Sequence, residues 1–373
     1  MRRWLLAGFL CVILLALLII GWLSYRFFYV PISTASQPTL YIVSPGETIS
    51  QLAFNLHQKD KLPDPRFFLL MAKLHGHVHS IRSGEYLLPV DITPRRLLQK
   101  INKGDVLLHK ITFVEGWTFN QVMRAINANP YLQHTLQNKD PQTIMQTLGL
   151  SPENPEGMFY PDTYLFALGT KDTKILHMSY QLMQKRLQHL WSQRAANVPY
   201  QQPYEALIVA SMIEKESAQA KERPLIAGVI LRRLKIGMRL QIDATVIYGM
   251  GQNYSGAITR KDLQTDTPYN TYTRAGLPPT PIAMPSYTAI KAALHPQGDK
   301  ALYYVAKGDG SHIFTDNLQA HHNAVAAWLL PKTALSYALS RRCVSAALML
   351  NYLKLLAGNS LSFTPFEKKG GYN

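Results

Sequence analysis

The sequence predicts an α+β protein with an N-terminal transmembrane helix, a small βααβ subdomain and a larger mixed α+β domain. Three observations carry this expectation: an uncharged apolar run near the N-terminus, a strand-helix-helix-strand pattern directly after it, and alternating helical and short strand patterns up to about residue 327. With 373 residues and 47% hydrophobic content the chain can bury two cores. Lys and Arg outnumber Asp and Glu by 39 to 23, a formal charge of +16, which favours an anionic partner such as phospholipid or an acidic cell-wall polymer. No nucleic-acid-binding pattern accompanies the charge, so nucleic acid is not expected; a basic solvated surface is the plainer alternative. Cys11 and Cys343 lie far apart and make neither a disulfide framework nor a metal site.

The apolar run is WLLAGFLCVILLALLIIGWL, Trp4 to Leu23. At about 1.5 Å per residue it matches the roughly 30 Å hydrocarbon core of a bilayer. A cleaved signal peptide has a shorter apolar core and small residues at its cleavage site, so the run reads as an uncleaved anchor. Trp4 at one end, and Trp22 and Tyr25 at the other, suit the interfacial belts. Arg2 and Arg3 favour an N-terminus inside, with Arg26 weakening the contrast. Residues 30–373 are then expected outside the cytoplasmic membrane, and residues 1–29 form the cytoplasmic tip and anchor. A buried helix of a soluble protein is the alternative.

Residues 30–39, containing PISTASQPT, have linker composition. Next, Tyr41 to Val43 reads as a strand and Pro45-Gly46 as a turn. Thr48 and Gln51 have capping-box spacing, and Ile49, Leu52, Ala53 and Leu56 recur at helical intervals. A second helical pattern, Pro65 to Leu74, precedes IRSGEYLLPV, a turn and returning strand. The strand followed by SPGETISQLA resembles the LysM module, a small glycan binder, so residues 40–105 are expected to be a LysM-like subdomain. Residues 106–327 form the larger domain: a strand in HKITFVEG, helices near Asn120–Ala128, Gln142–Leu148 and Thr173–Arg194, then helices reaching Ser217 and spanning Pro224 to Ile236. MRLQID suggests a strand ending near Asp243, with that residue capping a short helix, Ala244 to Tyr248.

The helix from Glu205 to Ser217 ends in two acids. Three, four and seven residues before Glu216 stand Ile213, Met212 and Val209; the same count from Glu214 meets Ser211, Ala210 and Leu207. Glu216 therefore shares the apolar stripe and is the acid expected to be desolvated. Burial holds a proton on a carboxyl group to near neutral pH, as a general acid requires. A glutamate paired with Lys215, Arg223, Arg232 or Arg233 is the alternative that the pattern leaves open. The long segment YNTYTRAGLPPTPIAMPS, Tyr269 to Ser286, is dense in amides, hydroxyls and rings, as a cleft wall gripping sugars would be. His295, His312, His321 and His322 fit no zinc spacing.

EGMFYPDTYLF, ASMIEKES, RLKIGMRLQIDATVIYGMG, YNTYTRAGLPPTPIAMPS and LYYVAKGDGSHIFTDNLQAHHNAV, in this order, resemble the MltG (YceG-like) endolytic murein transglycosylase family. The resemblance implies a catalytic domain over residues 106–327 that cleaves nascent peptidoglycan strands at the outer face of the cytoplasmic membrane, without metal or cofactor and with cell-wall synthases as neighbours. The second glutamate of the family's EKE[ST] motif falls on Glu216. It implies that Glu216 protonates the oxygen between MurNAc and GlcNAc, then accepts the proton of the MurNAc C6 hydroxyl, leaving a 1,6-anhydro end. Gln241, Asp243, Thr245, Asn270, Thr271, Tyr272, His312 and Phe314 are the candidate substrate-binding residues. A hydrolytic muramidase would need a second carboxylate, for which Asp243, Glu214 and Glu222 are candidates. A non-enzymatic peptidoglycan-binding scaffold is the reading from another class. The chain departs from the family after the HN segment: residues 328–373 form an atypical C-terminal extension whose apolar part, Cys343 to Ala357, is too short to span a membrane.

Overall fold

The computed structural model describes residues 2–32, 37–59, 62, 64–74, 81–150, 154–298 and 300–328. The C-terminal extension after Trp328 and the middle of the 30–39 segment lie outside the described residues. The chain forms two compact units. Unit 1 takes the chain up to residue 111 and adds residues 129–135 and 164–172, while unit 2 takes residues 112–128, 136–163 and the described residues from 173 onward.

Unit 1 opens with α1 (Arg2–Tyr29). From Trp4 to Tyr29 it is long and apolar enough to cross a membrane, its most apolar 18-residue stretch having a mean hydropathy of 2.9, and Trp4 to Ile20 are exposed. Among the described residues, the helix enters protein near its C-terminal end, where Phe27 is buried. The order β1 (Thr39–Val43), α2 (Ile49–Gln58), α3 (Pro65–Leu74), β2 (Gly84–Leu88) realises the expected βααβ pattern. The strands pair antiparallel, from Thr39 opposite Leu88 to Val43 opposite Gly84. Thr48 and Gln51 close the capping box: the Gln51 N–H donates to Thr48 Oγ1 at 3.2 Å and the Thr48 N–H to Gln51 Oε1 at 2.8 Å. In α4 (Pro94–Lys103) one face buries Pro94, Leu97, Leu98 and Ile101, and Gly104 ends the helix in the left-handed region at φ 60°. Leu52, Leu56, Phe68, Tyr86 and Leu97 form the core, and Phe27 and Ile32 belong to it. The Ile32 N–H also donates to Ile92 O at 2.8 Å. β3 (Leu108–Thr112), β4 (Leu132–Gln133), β5 (Thr163–Ala167) and β6 (Thr170–Lys171) add two pairs, β3 with β5 and β4 with β6.

Unit 2 is mainly helical. Its elements are α5 (Phe119–Asn127), α6 (Pro141–Thr147), α7 (Asp172–Ser192), α8 (Pro203–Glu216), α9 (Arg223–Lys235), α10 (Asp243–Met250), α11 (Arg260–Gln264), α12 (Tyr287–Leu294), the antiparallel hairpin β7 (Tyr303–Ala306) and β8 (His312–Thr315), and α13 (Leu318–Trp328). Every residue of α8 from Ala206 to Ile213 is buried, as expected of a central helix that is apolar all round. It packs against α9 and α12, which also meet each other. Close approach has a residue-level cause in α9: a Cβ on Gly228 would stand 2.2 Å from Gln297 O.

Two local expectations are corrected. MRLQID is not a strand. The Arg239 and Leu240 carbonyls accept from the Arg233 guanidinium, at 3.1 and 2.7 Å, so a side chain occupies acceptors that a strand neighbour would need. Asp243 is the first residue of α10, and its carboxylate accepts from the Tyr272 hydroxyl instead of capping the helix.

Candidate active site

The two acids at the end of α8 stand two residues apart, on different faces of the helix, and meet different partners. Glu214 points to the helix-packing side. Arg223, first residue of α9, donates Nη2 to Glu214 Oε1 at 2.9 Å and Nη1 to Oε2 at 3.0 Å. The N–H and hydroxyl of Ser286, the N-cap of α12, also donate to Oε2. Both members of this pair are only 6% exposed at the side chain. Glu214 is thus a structural clamp joining α8, α9 and α12.

Glu216, two residues on, faces the other way. Tyr304 of β7 donates its hydroxyl to Glu216 Oε2 at 2.9 Å. Burial pushes the Glu216 carboxyl up to about 7; the charge of Asp243 adds to that rise and the Tyr304 hydrogen bond opposes it. Asp243, at the start of α10, is raised too, by burial, with the Tyr272 hydroxyl opposing. Tyr272 and Tyr304 are themselves raised by burial and by these carboxylates. The cluster is two partly buried acids, each held by a tyrosine.

The supporting wall is made by groups whose polar atoms are satisfied inside the protein. Thr245 donates to Ile242 O at 2.7 Å and meets Thr271 Oγ1 at 2.9 Å, and the Ile242 N–H donates to Thr271 Oγ1 at 2.9 Å. Asn270 is fully buried; its amide donates to the carbonyls of Asp262, Leu263 and Thr265, and its Oδ1 accepts from the Tyr272 N–H at 2.8 Å. These three residues therefore set the course of the 269–273 segment and the aim of Tyr272. Gln241 is exposed and sits at φ 54°, a left-handed conformation that a non-glycine residue adopts at a cost of order 1 kcal/mol or more. Its N–H donates to Thr271 O at 3.1 Å, and its Oε1 accepts from Arg233 at 3.4 Å.

Glu222 is engaged elsewhere. It accepts from the His312 N–H at 3.0 Å and meets His312 Nδ1 at 2.8 Å, both side chains nearly buried. Phe314, partly exposed, stands directly across the hairpin from Tyr304, with ring centroids 6.1 Å apart. Sequence reasoning passed over Tyr304 and Glu156, and weighed Arg233 only as an ion-pair partner for a glutamate. Tyr304 had a usable signal: once LYYVAKGDGSHIFT is read as a hairpin about its glycines, the strand partner of Phe314 is Tyr304. Glu156 is 4% exposed, accepts from the Phe119 N–H at 2.9 Å and the Tyr248 hydroxyl at 3.0 Å, and is pushed up to about 7 by burial. Nothing in its local pattern announced that.

The sequence profile of the YceG-like family matches residues 41–327. The chain belongs to the YceG-like family. A relative from Bacillus subtilis (strain 168), named endolytic murein transglycosylase, is 28% identical over 321 residues, covering 81% of this chain and 88% of the relative. Another of the same name, from Streptococcus pneumoniae serotype 2 (strain D39 / NCTC 7466), is 26% identical over 345 residues, and this chain spans 62% of its length. A crystal structure of a YceG-like protein from Listeria monocytogenes aligns over 78% of this chain and 100% of its own, with 24% identity and a TM-score of 0.49.

Proposed function

We propose that this YceG-like protein is a membrane-anchored lytic transglycosylase that cleaves the MurNAc-GlcNAc bond within peptidoglycan glycan strands, with Glu216 as its acid and base. The observation that carries this reading is a carboxyl group at the end of α8, pushed up to about 7 by burial and free of the arginine that holds Glu214. A carboxyl group so tuned is protonated in a useful fraction at neutral pH. Glu216 donates its proton to the glycosidic oxygen as the C1–O4 bond breaks and the GlcNAc hydroxyl leaves. The carboxylate then takes the proton of the MurNAc C6 hydroxyl, whose oxygen bonds to C1. Atoms balance without water, and the attacking group is already tethered to the reacting sugar, which lowers the entropic part of the barrier.

Gln241, Tyr272, His312 and Phe314 are the proposed sugar contacts, while Thr245, Asn270 and Thr271 shape the wall behind them. The names of the relatives support a peptidoglycan substrate. The βααβ segment of unit 1 is proposed as a LysM-like glycan-binding element. α1 is proposed as the anchor in the cytoplasmic membrane, with Arg2 and Arg3 inside and the rest outside. Cell-wall synthases are proposed neighbours.

Asp243 gives a muramidase reading one specific support, because it is the second carboxyl group electrostatically coupled to Glu216. Product mass separates the two reactions. Glycan strands digested by the purified full chain are expected to end in anhydro sugars, one water lighter than hydrolysed ends. Glu216→Gln keeps shape and removes the acid, so cleavage is expected to fall by at least about a hundredfold with glycan binding retained. Undiminished cleavage by that variant would overturn the assignment, and hydrolysed ends would favour the muramidase.

A further inference from the structure

The end of α1 is built into unit 1. Phe27 belongs to its core, with ring centroids 6.1 Å from Phe67 and 6.3 Å from Phe68. Phe28 lies under the guanidinium of Arg95, the second residue of α4, at 5.2 Å. The apolar run ends at Leu23, so at about 1.5 Å per residue Phe27 and Phe28 stand about 6–7.5 Å beyond it. That is the depth of one headgroup layer, the difference between a roughly 30 Å hydrocarbon core and a 40–45 Å bilayer shared between two faces. A unit whose core begins there lies against the membrane, not on a long tether.

A cleft opens at this junction, lined on the helix side by Trp22, Leu23 and Arg26 and on the unit side by Leu62, Phe67 and Pro94. Its helix wall begins inside the apolar run and ends at a cation: the Arg26 guanidinium lies 5.0 Å from the centre of the Trp22 ring. Asp64 also lines the cleft, but its Oδ1 already accepts from the Arg66 and Phe67 N–H groups, at 2.9 and 3.0 Å. Outside the cleft, α4 exposes Arg95, Arg96 and Lys103 opposite its buried apolar face. Arg96 pairs with Asp91 at 3.1 Å across an open surface, which leaves its charge available.

We infer that this junction is a binding site for an anionic phospholipid, its acyl chains along Trp22 and Leu23 and its phosphate at Arg26. The inference rests on the anchoring proposed above. Three features converge on a lipid: an apolar wall continuous with the membrane-spanning run, cations at headgroup depth, and a roof of aromatic and proline side chains. The site would hold unit 1 flat on the bilayer.

The test uses the full chain reconstituted in nanodiscs of phosphatidylcholine alone or with phosphatidylglycerol, then released for native mass spectrometry. The chain is expected to carry phosphatidylglycerol adducts and few of phosphatidylcholine. Arg26→Gln, at a half-buried position of the cleft wall, is expected to weaken phosphatidylglycerol retention about fivefold, the effect of one arginine at an anionic surface. Lys185→Gln, on α7 of unit 2, is expected to change nothing. Equal retention of the two lipids, or unchanged retention in the Arg26 variant, would overturn the site while leaving the anchor standing. A chain that elutes apart from the nanodiscs would remove the anchor and this site together.

Discussion

At the scale of single residues, the proposed chemistry depends on how Glu216 holds its proton. The Tyr304 hydroxyl favours the charged carboxylate and the Asp243 charge disfavours it. Tyr304→Phe removes the first influence, so the alkaline limb of the pH-activity profile is expected to move to higher pH. The rate should fall on the order of tenfold, because one hydrogen bond to a charged group is lost from the acid's support. Asp243→Asn removes the second influence, and the same limb should move to lower pH. Under the transglycosylase reading its products still end in anhydro sugars; a variant that binds glycan but has lost all cleavage would instead make Asp243 a second catalytic carboxylate. Both profiles are measurable on purified full chain with one glycan substrate.

At the scale of elements, the site stands on the junction of α8, α9 and α12. The Glu214-Arg223 pair fastens it from inside, and Ser286 ties α12 to the same carboxylate. Truncating one member leaves a buried charge without its partner, which costs about 3–5 kcal/mol. Arg223→Met is therefore expected to lower the urea midpoint strongly, and Glu214→Met added to it should recover part of the loss, because paired removal leaves no orphan charge. If Arg223→Met alone were neutral, the clamp would be surface decoration. The next anchoring point is Glu156, which joins the start of α5 to Tyr248 on α10, the helix whose first residue is Asp243. Arg233 does the same work for the end of α9, reaching Leu302 O at 2.7 Å as well as the 239–240 carbonyls. Glu216 and Asp243 thus sit on helix ends, with buried polar ties behind them.

For the whole molecule, the two raised glutamates set a pH dependence of stability. Glu156 and Glu216 ordinarily titrate near 4.5 and do so at about 7 when folded. Between those values the folded chain binds more protons than the unfolded chain, so their contribution to stability falls as pH rises from about 4.5 to about 7 and then levels off. Glu156→Gln removes one of the two, so the variant should gain thermal stability relative to the parent as pH rises through that window. A parent-variant difference in Tm that stays flat from pH 5 to 8 would show that Glu156 titrates normally. Much of the architecture was legible beforehand: the long apolar helix α1 from its composition, βααβ from capping and periodicity, and the helices of unit 2 from their apolar spacing. Wheel geometry does place Glu214 and Glu216 on different faces, but the expected contrast in burial is not there: α8 is buried all round and the Glu214 side chain is only 6% exposed, so the two acids differ in their partners. The partners of these acids were another matter. Arg223 is nine positions from Glu214, Ser286 seventy-two and Tyr304 eighty-eight from Glu216. Chain periodicity reports only which face a residue occupies, over a few turns. Which acid would be neutralised by a cation and which left to carry a proton was decided by how distant segments packed, since desolvation and pairing energies belong to the folded surroundings and not to the residue itself.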